Sequence, residues 1–484
     1  MFVRRGVTGS LLVLIGGLLV ATLPRSTPLV QIELVYDLRN HMAGRMLGLT
    51  LVMAGLGLIG ASWLHLCRHV THTDRPLEER LWMVRRAAFA WSLPLLVAPP
   101  LFSRDGWSYA AQGALVHAGW SPYEYGPAAL SGPIIYGVDP RWQHTATPYG
   151  PLPLIFGDAF AGVTLQPWLL VIAHRMLALA GLTLLVWAVP RLARWGGANP
   201  ALATALVCAS PLMVANGVAG LHNDLLMAGL MAAALVVAID HGWVWGSALA
   251  GLATAIKAPA GIVCLAIALA SLPVAAPYAR RVGRAVASGA VAMGVVLGLG
   301  LMWGLGSGWI AALTVPGTVA TPLSVTTLLG QAGDWLAGSA ALEHPVRDLT
   351  RQIGSVIVLA VAAVMMLRAE TGSPRAAVRA AAVTVGVLVL LSPVVHLWYF
   401  LWVLPFVAAL PLRRPHLTGL VAVCLIAGLV APLDSSLHGA YAAIVTGIMW
   451  AVTATLILLL TRAARERLQR ITSGSHEPVA VEAG

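Results

Sequence analysis

Apolar runs of about 15–23 residues, the length that crosses the hydrocarbon core of a bilayer as a helix, follow one another along most of this chain. Short clusters of arginine separate them. The runs fall near 7–23, 44–66, 87–102, 168–190, 200–218, 225–240, 243–256, 258–275, 285–303, 351–367, 380–392, 399–412, 417–432 and 439–461, about fourteen helices in all. The fold class that follows is an all-α polytopic membrane protein. Composition agrees: 58% of the 484 residues are hydrophobic and 10% are charged, against about 25% charged in a soluble protein. A soluble multidomain protein, a disordered chain and a disulfide scaffold are all excluded. Cys67, Cys208, Cys264 and Cys424 lie in or beside apolar runs with no paired spacing, and read as small hydrophobes.

The net charge of +11 does not signal nucleic acid, because the arginines sit between apolar runs and no basic groove with interleaved aromatics is present. With Arg4 and Arg5 in the cytoplasm, alternation places the loops Arg68–Arg86, Arg191–Arg194, Arg280–Arg284, Arg368–Arg379 and Arg413–Arg414 and the tail Arg462–Arg470 on the same side. That is the positive-inside pattern of a plasma-membrane protein with both termini in the cytoplasm. The N-terminal run lacks a small-residue cleavage site and reads as a retained helix. A span at 151–165 would put Arg191 and Arg194 outside, so this stretch reads as interfacial or re-entrant. The organisation expected is a helix pair and basic loop (1–86), a core (87–303) with a large outer loop (103–167), a second outer loop (304–350), C-terminal helices (351–461) and a cytoplasmic tail (462–484). Long ordered loops in a membrane protein usually carry function.

Candidate chemistry collects at the outward ends. Asp105, where the third helix exits, is placed to act as a general base or to cap a following helix. Trp107, Tyr109, Gln112, Tyr123, His144 and Tyr149 follow, aromatics alternating with hydrogen-bonding side chains in a Pro/Gly-rich loop. Such a mixture suits a pyranose ring, and an interfacial aromatic belt is the plainer reading. His222, Asn223 and Asp224 precede an apolar helix, where they could hold a sugar hydroxyl or cap the helix. Lys257 is the only lysine in the chain and lies between two apolar runs on the outer side. A charge there is expensive, so it reads as a phosphate ligand or a snorkelling side chain. Arg175 lies just inside its helix, within reach of a carboxylate or a phosphate. His396, Trp398 and Tyr399 end another helix on the same side. The outer face shows no Asp-x-Asp, no His-x-x-His and no helical His/Glu pair, so no metal is expected. A base, a cation and sugar-friendly rings on one outward face suggest a transferase using a lipid-linked sugar.

The chain resembles the actinobacterial polyprenyl-phosphate-mannose-dependent α-1,6-mannosyltransferases of lipomannan and lipoarabinomannan assembly, of the GT-C class. The resembling stretches are Asp105 with Ser108-Tyr109 and Ala111-Gln112-Gly113, Pro122-Tyr123 with Gly126-Pro127, Trp142 with Thr147-Pro148-Tyr149-Gly150-Pro151, His222-Asn223-Asp224, Lys257-Ala258-Pro259 and Trp398-Tyr399. The resemblance implies a GT-C fold with long outer loops and Asp105 as catalytic base. It further implies that Lys257 and His222–Asp224 line the donor site, and that the first two helices stand ahead of the core. The reaction implied is inverting transfer of mannose from polyprenyl-phosphate-mannose to a mannan lipoglycan, with no metal and with Lys257 and Arg175 on the departing phosphate. A GT-C enzyme for arabinose or glucose and a lipid-linked-sugar transporter are the alternatives. The absence of repeat halves and the concentration of polar residues at one end favour the enzyme.

Overall fold

The computed structural model describes residues 2–338 and 343–433 and a few positions between 461 and 470. The described residues form helices and no strands. They are α1 (Phe2–Val20), α2 (Glu33–Asn40), α3 (Met42–Thr71), α4 (Leu77–Ser92), α5 (Asp105–His117), α6 (Pro151–Ala161), α7 (Pro167–Gly196), α8 (Pro200–Cys208) and α9 (Asp224–His241). Next come α10 (Trp243–Thr254), α11 (Val263–Ala270), α12 (Tyr278–Met302), α13 (Trp309–Ala312), α14 (Val325–Leu336), α15 (Pro345–Arg368), α16 (Pro374–Leu391), α17 (Phe400–Val407) and α18 (Arg414–Leu429). Among the described residues, seven helices are long and apolar enough to cross a membrane, or eight if α8 and the π-helical turn Met213–Ala219, bent by 52°, form one span. The chain is thus a multi-pass helical membrane protein. The expected run at 439–461 lies outside the described residues, apart from its last position.

Several boundaries differ from the sequence reading, and three of the differences change what a segment is. The third helix starts at Leu77 and ends in a 3-10 turn, Leu93–Val97, so Arg80, Arg85 and Arg86 ride on a helix and not in a loop. Charged residues hide that start from a hydropathy reading. The 103–167 segment holds two helices: α5, and the 11-residue α6, which at 1.5 Å per residue is too short to span alone. Helix α15 begins at Pro345, inside the expected second outer loop.

Small residues set the packing. A Cβ on Gly16 would lie 2.4 Å from the carbonyl of Gly48, and one on Gly9 2.7 Å from that of Gly55, so α1 and α3 meet backbone to backbone. Gly113 and Gly157 do the same for α5 and α6: a Cβ on Gly113 would stand 2.4 Å from the Cα of Gly157. At the end of the bundle away from Asp105, Arg281 donates to the carbonyls of Met366, Leu367 and Ala369 and so closes the C-terminus of α15.

Candidate active site

Two chain segments meet at the centre of the site. Residues 98–106 lead into α5, and residues 216–224 lead into α9. The π-helical turn Met213–Ala219 widens the helix and releases carbonyls from the usual ladder. Those carbonyls tie the segments together. Leu101 N–H donates to Ala219 O at 3.0 Å. Arg175, fully buried on α7, donates from Nε to Val218 O (3.1 Å), from Nη1 to Leu96 O (3.1 Å) and Ala98 O, and from Nη2 to Pro99 O (3.1 Å) and Ala219 O (3.2 Å). Phe102 and Leu221 take left-handed φ values of 67° and 56°. Such backbone costs about 1–3 kcal/mol per residue and persists where the surroundings over-determine it. The strain flanks the residues most interesting chemically, Asp105 and His222.

Asp105 is the first residue of α5, and its carboxylate caps nothing: Arg104 holds the N-cap position without a side-chain bond. Asp105 N–H donates to Ser103 Oγ at 3.1 Å, and Tyr109 Oη donates to Asp105 Oδ2 at 3.4 Å. Tyr109 and Tyr149 share a 3.2 Å hydroxyl contact. The imidazole Nε2 of His222 lies 3.9 Å from Asp105 Oδ2. Burial raises the Asp105 carboxyl above the ordinary aspartate range, and His222 and Lys257 offset part of that rise.

Lys257 and Asp224 form a buried ion pair, Nζ to Oδ1 at 3.0 Å, and Trp402 Nε1 donates to the same oxygen at 2.7 Å. The ammonium stands 4.3 Å from the Tyr399 ring centroid, 5.0 Å from Trp402 and 5.7 Å from Tyr149. His222 stacks on Trp398 (centroids 3.8 Å apart), which stacks in turn on His396 (4.3 Å). Burial pulls His396 down to about 3, so that ring is neutral.

Asp105, Lys257, Tyr149, His396, Trp398 and Tyr399 line a cavity of about 550 Å³. Its remaining wall includes Arg104, the Asp139–Arg141 pair, Trp142, Thr321 and an apolar sector of Val315, Val319, Ala320, Pro322 and Leu323 with Val394, Val395 and Val430. Arg351 on α15 holds the 315–323 segment by donating to Gly317 O (2.7 Å) and Val319 O (2.8 Å). A carboxyl group, cations, flat rings and an apolar sector together can accommodate an amphipathic phosphate-linked glycan. Among the described residues no group of three or more His, Cys, Asp or Glu is placed to hold a metal ion.

Several residues expected at the site stand elsewhere. Arg175 is not a phosphate ligand: each of its guanidinium nitrogens donates to backbone carbonyls. Gln112 is buried and accepts from Thr147 Oγ1 at 3.0 Å, tying α5 to the loop behind the cavity wall. The side chain of Tyr123 packs against Gly308, and His144 is exposed; neither lines the cavity. Tyr109, His222, Asn223 and Asp224 also stand outside the lining; Tyr109 and His222 lie against Asp105, and Asp224 pairs with Lys257. Sequence reasoning passed over Arg104, although it adjoins Asp105, because an arginine at a helix exit looks like an interfacial anchor. Trp402 was hidden by its apolar helix, and Asp139 and Arg141 by their exposed-looking loop.

Comparison with known proteins gives this arrangement its family. Residues 3–273 match the family model described as "Alpha-(1->6)-mannopyranosyltransferase, N-terminal domain", and residues 325–460 match the "MptB C-terminal domain". The first match takes in the N-terminal helix pair. A protein of Mycolicibacterium smegmatis named "Probable alpha-(1->6)-mannopyranosyltransferase" is 30% identical over 94% of this chain and 87% of its own length. "Alpha-(1->6)-mannopyranosyltransferase A" of Mycobacterium tuberculosis is 30% identical over 90% of this chain and 85% of its own. The protein of the same name from Corynebacterium glutamicum is 37% identical over 44% of each chain. No solved structure matches. The chain therefore belongs to the alpha-(1->6)-mannopyranosyltransferase family of multi-pass membrane glycosyltransferases.

Proposed function

We propose that the protein moves mannose from a polyprenyl-phosphate carrier to an α-1,6-mannan lipoglycan, with inversion, in a cavity facing the outside of the plasma membrane. The observation that carries this reading is that the Asp105 carboxylate and the cations Lys257 and Arg104 line the same ring-walled cavity, whose wall also holds the Asp139–Arg141 ion pair. Inversion needs a single displacement, hence one base and one stabilised leaving group. Asp105 takes the proton from the acceptor hydroxyl. The acceptor oxygen bonds to the anomeric carbon as the bond to the phosphate oxygen breaks. The phosphate leaves with that electron pair, and Lys257 and Arg104 stabilise its charge. Tyr149, His396, Trp398 and Tyr399 offer ring faces to the sugar. The apolar sector at Val315–Leu323 suits the first isoprene units of the carrier. The arginine clusters at the opposite end of the bundle support an outward-facing site.

The test is a membrane-fraction assay with radiolabelled polyprenyl-phosphate mannose and a short α-1,6-mannoside acceptor. Wild type is expected to transfer mannose, and Asp105→Asn to lose about 10²–10⁴-fold in turnover, the range for a general base. Donor binding is expected to survive in the variant. Because burial opposes the ionised form of Asp105, replacing it is expected to leave the unfolding midpoint unchanged or higher. Full turnover by Asp105→Asn would remove the base from Asp105. Transfer from other polyprenyl sugars but not from the mannosyl donor would move the enzyme to another sugar.

A further inference from the structure

Asp105 has a neighbour whose chemistry the transfer reaction has not yet used. His222 is 1% exposed, and its Nδ1 lies 2.5 Å from the carbonyl of Asn216. A carbonyl only accepts, so Nδ1 carries a proton and donates it. In the neutral ring the lone pair then sits on Nε2. That atom is buried, has no hydrogen-bond partner among the described residues, and lies 3.9 Å from Asp105 Oδ2. The ring cannot swing away: it stacks on Trp398 at 15° between planes, and the residue before it, Leu221, is held at φ 56°. A buried acceptor therefore faces a carboxylate oxygen on the cavity wall with no donor between them; the Tyr109 hydroxyl reaches that oxygen from another side at 3.4 Å. Such a pair gains free energy by taking up one proton.

The charged and titratable surroundings are defined. Asp105 and Asp224 favour a proton on His222, while Lys257 opposes it. His396 lies beyond Trp398, and the Tyr109 and Tyr149 hydroxyls lie on the far side of Asp105. Burial outweighs the two carboxylates and keeps the resting imidazole neutral, below its ordinary value.

We infer that Asp105 and His222 work as one proton-accepting pair: Asp105 removes the proton from the acceptor hydroxyl, and His222 Nε2 receives it for the remainder of the transfer. The inference rests on the reading of Asp105 as the base. The acceptor O–H bond breaks, and its electron pair forms the new bond to the anomeric carbon. The bond from that carbon to the phosphate oxygen breaks, and its pair leaves with the phosphate. The proton passes from Oδ2 to Nε2, leaving an imidazolium beside an ionised carboxylate, and returns to water before the next turnover. Rotation of the Asp105 carboxylate, the more exposed partner at 20%, closes the gap. The ionised form of Asp105 then faces the positively charged sugar centre of the transition state, where a protonated acid would offer nothing. His222 touches the base and not the sugar, so it is a positioning residue.

The first test needs no substrate. Infrared difference spectra of the full chain in detergent, titrated with acid, report the carboxylic-acid band of Asp105, assigned by its disappearance in Asp105→Asn. In wild type the imidazole takes the first proton. In His222→Phe, which keeps a ring on Trp398, the band is expected to appear at a pH higher by about one unit or more, the mark of a coupled pair. His222→Gln serves the same purpose should the Phe variant fold poorly. An unchanged band position in the folded variants would overturn the inference.

The second test is kinetic. Both His222 variants are expected to lose at least about tenfold in kcat, a fraction of what a general base supplies, with the donor KM held. The acid limb of kcat/KM is expected to move to lower pH, because the pair's first proton site is gone. A raised KM with the acid limb in place would make His222 a sugar contact and overturn the pairing. Should wild type fail to transfer mannose while the band still shifts, the functional reading falls and the proton pair stands.

Discussion

Lys257 and Asp224 each need the other. Their 3.0 Å contact is buried, and the rings of Tyr399 and Trp402 flank the ammonium. Breaking such a pair by removing one member costs about 3–5 kcal/mol, because a lone charge is left behind. Asp224→Asn and Lys257→Gln are each expected to lower the thermal midpoint in detergent, and the double variant to recover part of the loss. A double variant no better than the singles would show that the pair is not the source. Lys257 also acts through space on Asp105, whose carboxyl it holds down against burial. Removing that cation is therefore expected to raise the Asp105 carboxyl further and move the acid limb of kcat/KM to higher pH. Lys257 was legible in the sequence because a charge between apolar runs is costly. Its partner, 33 positions earlier, read as a sugar contact or a helix cap, because pairing across a bundle leaves no local pattern. Arg175 shows the same limit: its need for acceptors was legible, but the acceptors are main-chain carbonyls that no side-chain motif announces.

At the level of elements, the position of Asp105 depends on how α5 meets α6 and on how Arg175 clamps the two segments. A methyl on Gly113 would stand 2.4 Å from the Cα of Gly157, a distance backbone cannot yield cheaply. Gly113→Ala is expected to cost about 1–3 kcal/mol, the usual range for overpacking, measured as a fall in thermal midpoint with a loss of transfer. Gly289→Ala on α12, where a Cβ meets nothing within 4 Å, is the control and is expected to lose neither. Arg175→Lys keeps the charge but cannot fork to five carbonyls. It is expected to abolish transfer and lower the midpoint, with no substrate contact involved. Normal transfer by this variant would refute the clamp. The long apolar helices and most of their order were legible from hydropathy. The π-helical turn was not, because a shift of hydrogen-bond register by one residue leaves the apolar run unbroken. The charged start of α4 and the short α5 escaped for the opposite reason, since each departs from the uniform apolar length that marks a span, whereas α6 falls on the stretch read as interfacial or re-entrant.

Across the whole molecule, the cavity lies at one end of the bundle and the arginine clusters at the other. Sidedness can be read by cysteine labelling, since the four native cysteines are buried. A cysteine at Ala320, on the cavity wall, is expected to react with a membrane-impermeant maleimide on intact cells, and one at Arg75 only after lysis. The reverse pattern would invert the orientation and rule out an outward site. The charge alternation that suggested this orientation was legible because every basic loop had to agree with its neighbours, whereas the cavity itself required seven separate stretches of chain to converge. One feature of that cavity turns the chain into its own reporter. Lys257 is the only lysine in the chain, and it is walled in by Tyr149, Tyr399 and Trp402 at the cavity floor. Against the opposing effect of burial, Asp224 holds that amine protonated, so amine-directed reagents are expected to modify no side chain of the folded protein. The yield of a single modified amine, followed by mass spectrometry, becomes a direct gauge of how often the Lys257–Asp224 pair opens, without a mannose-transfer assay.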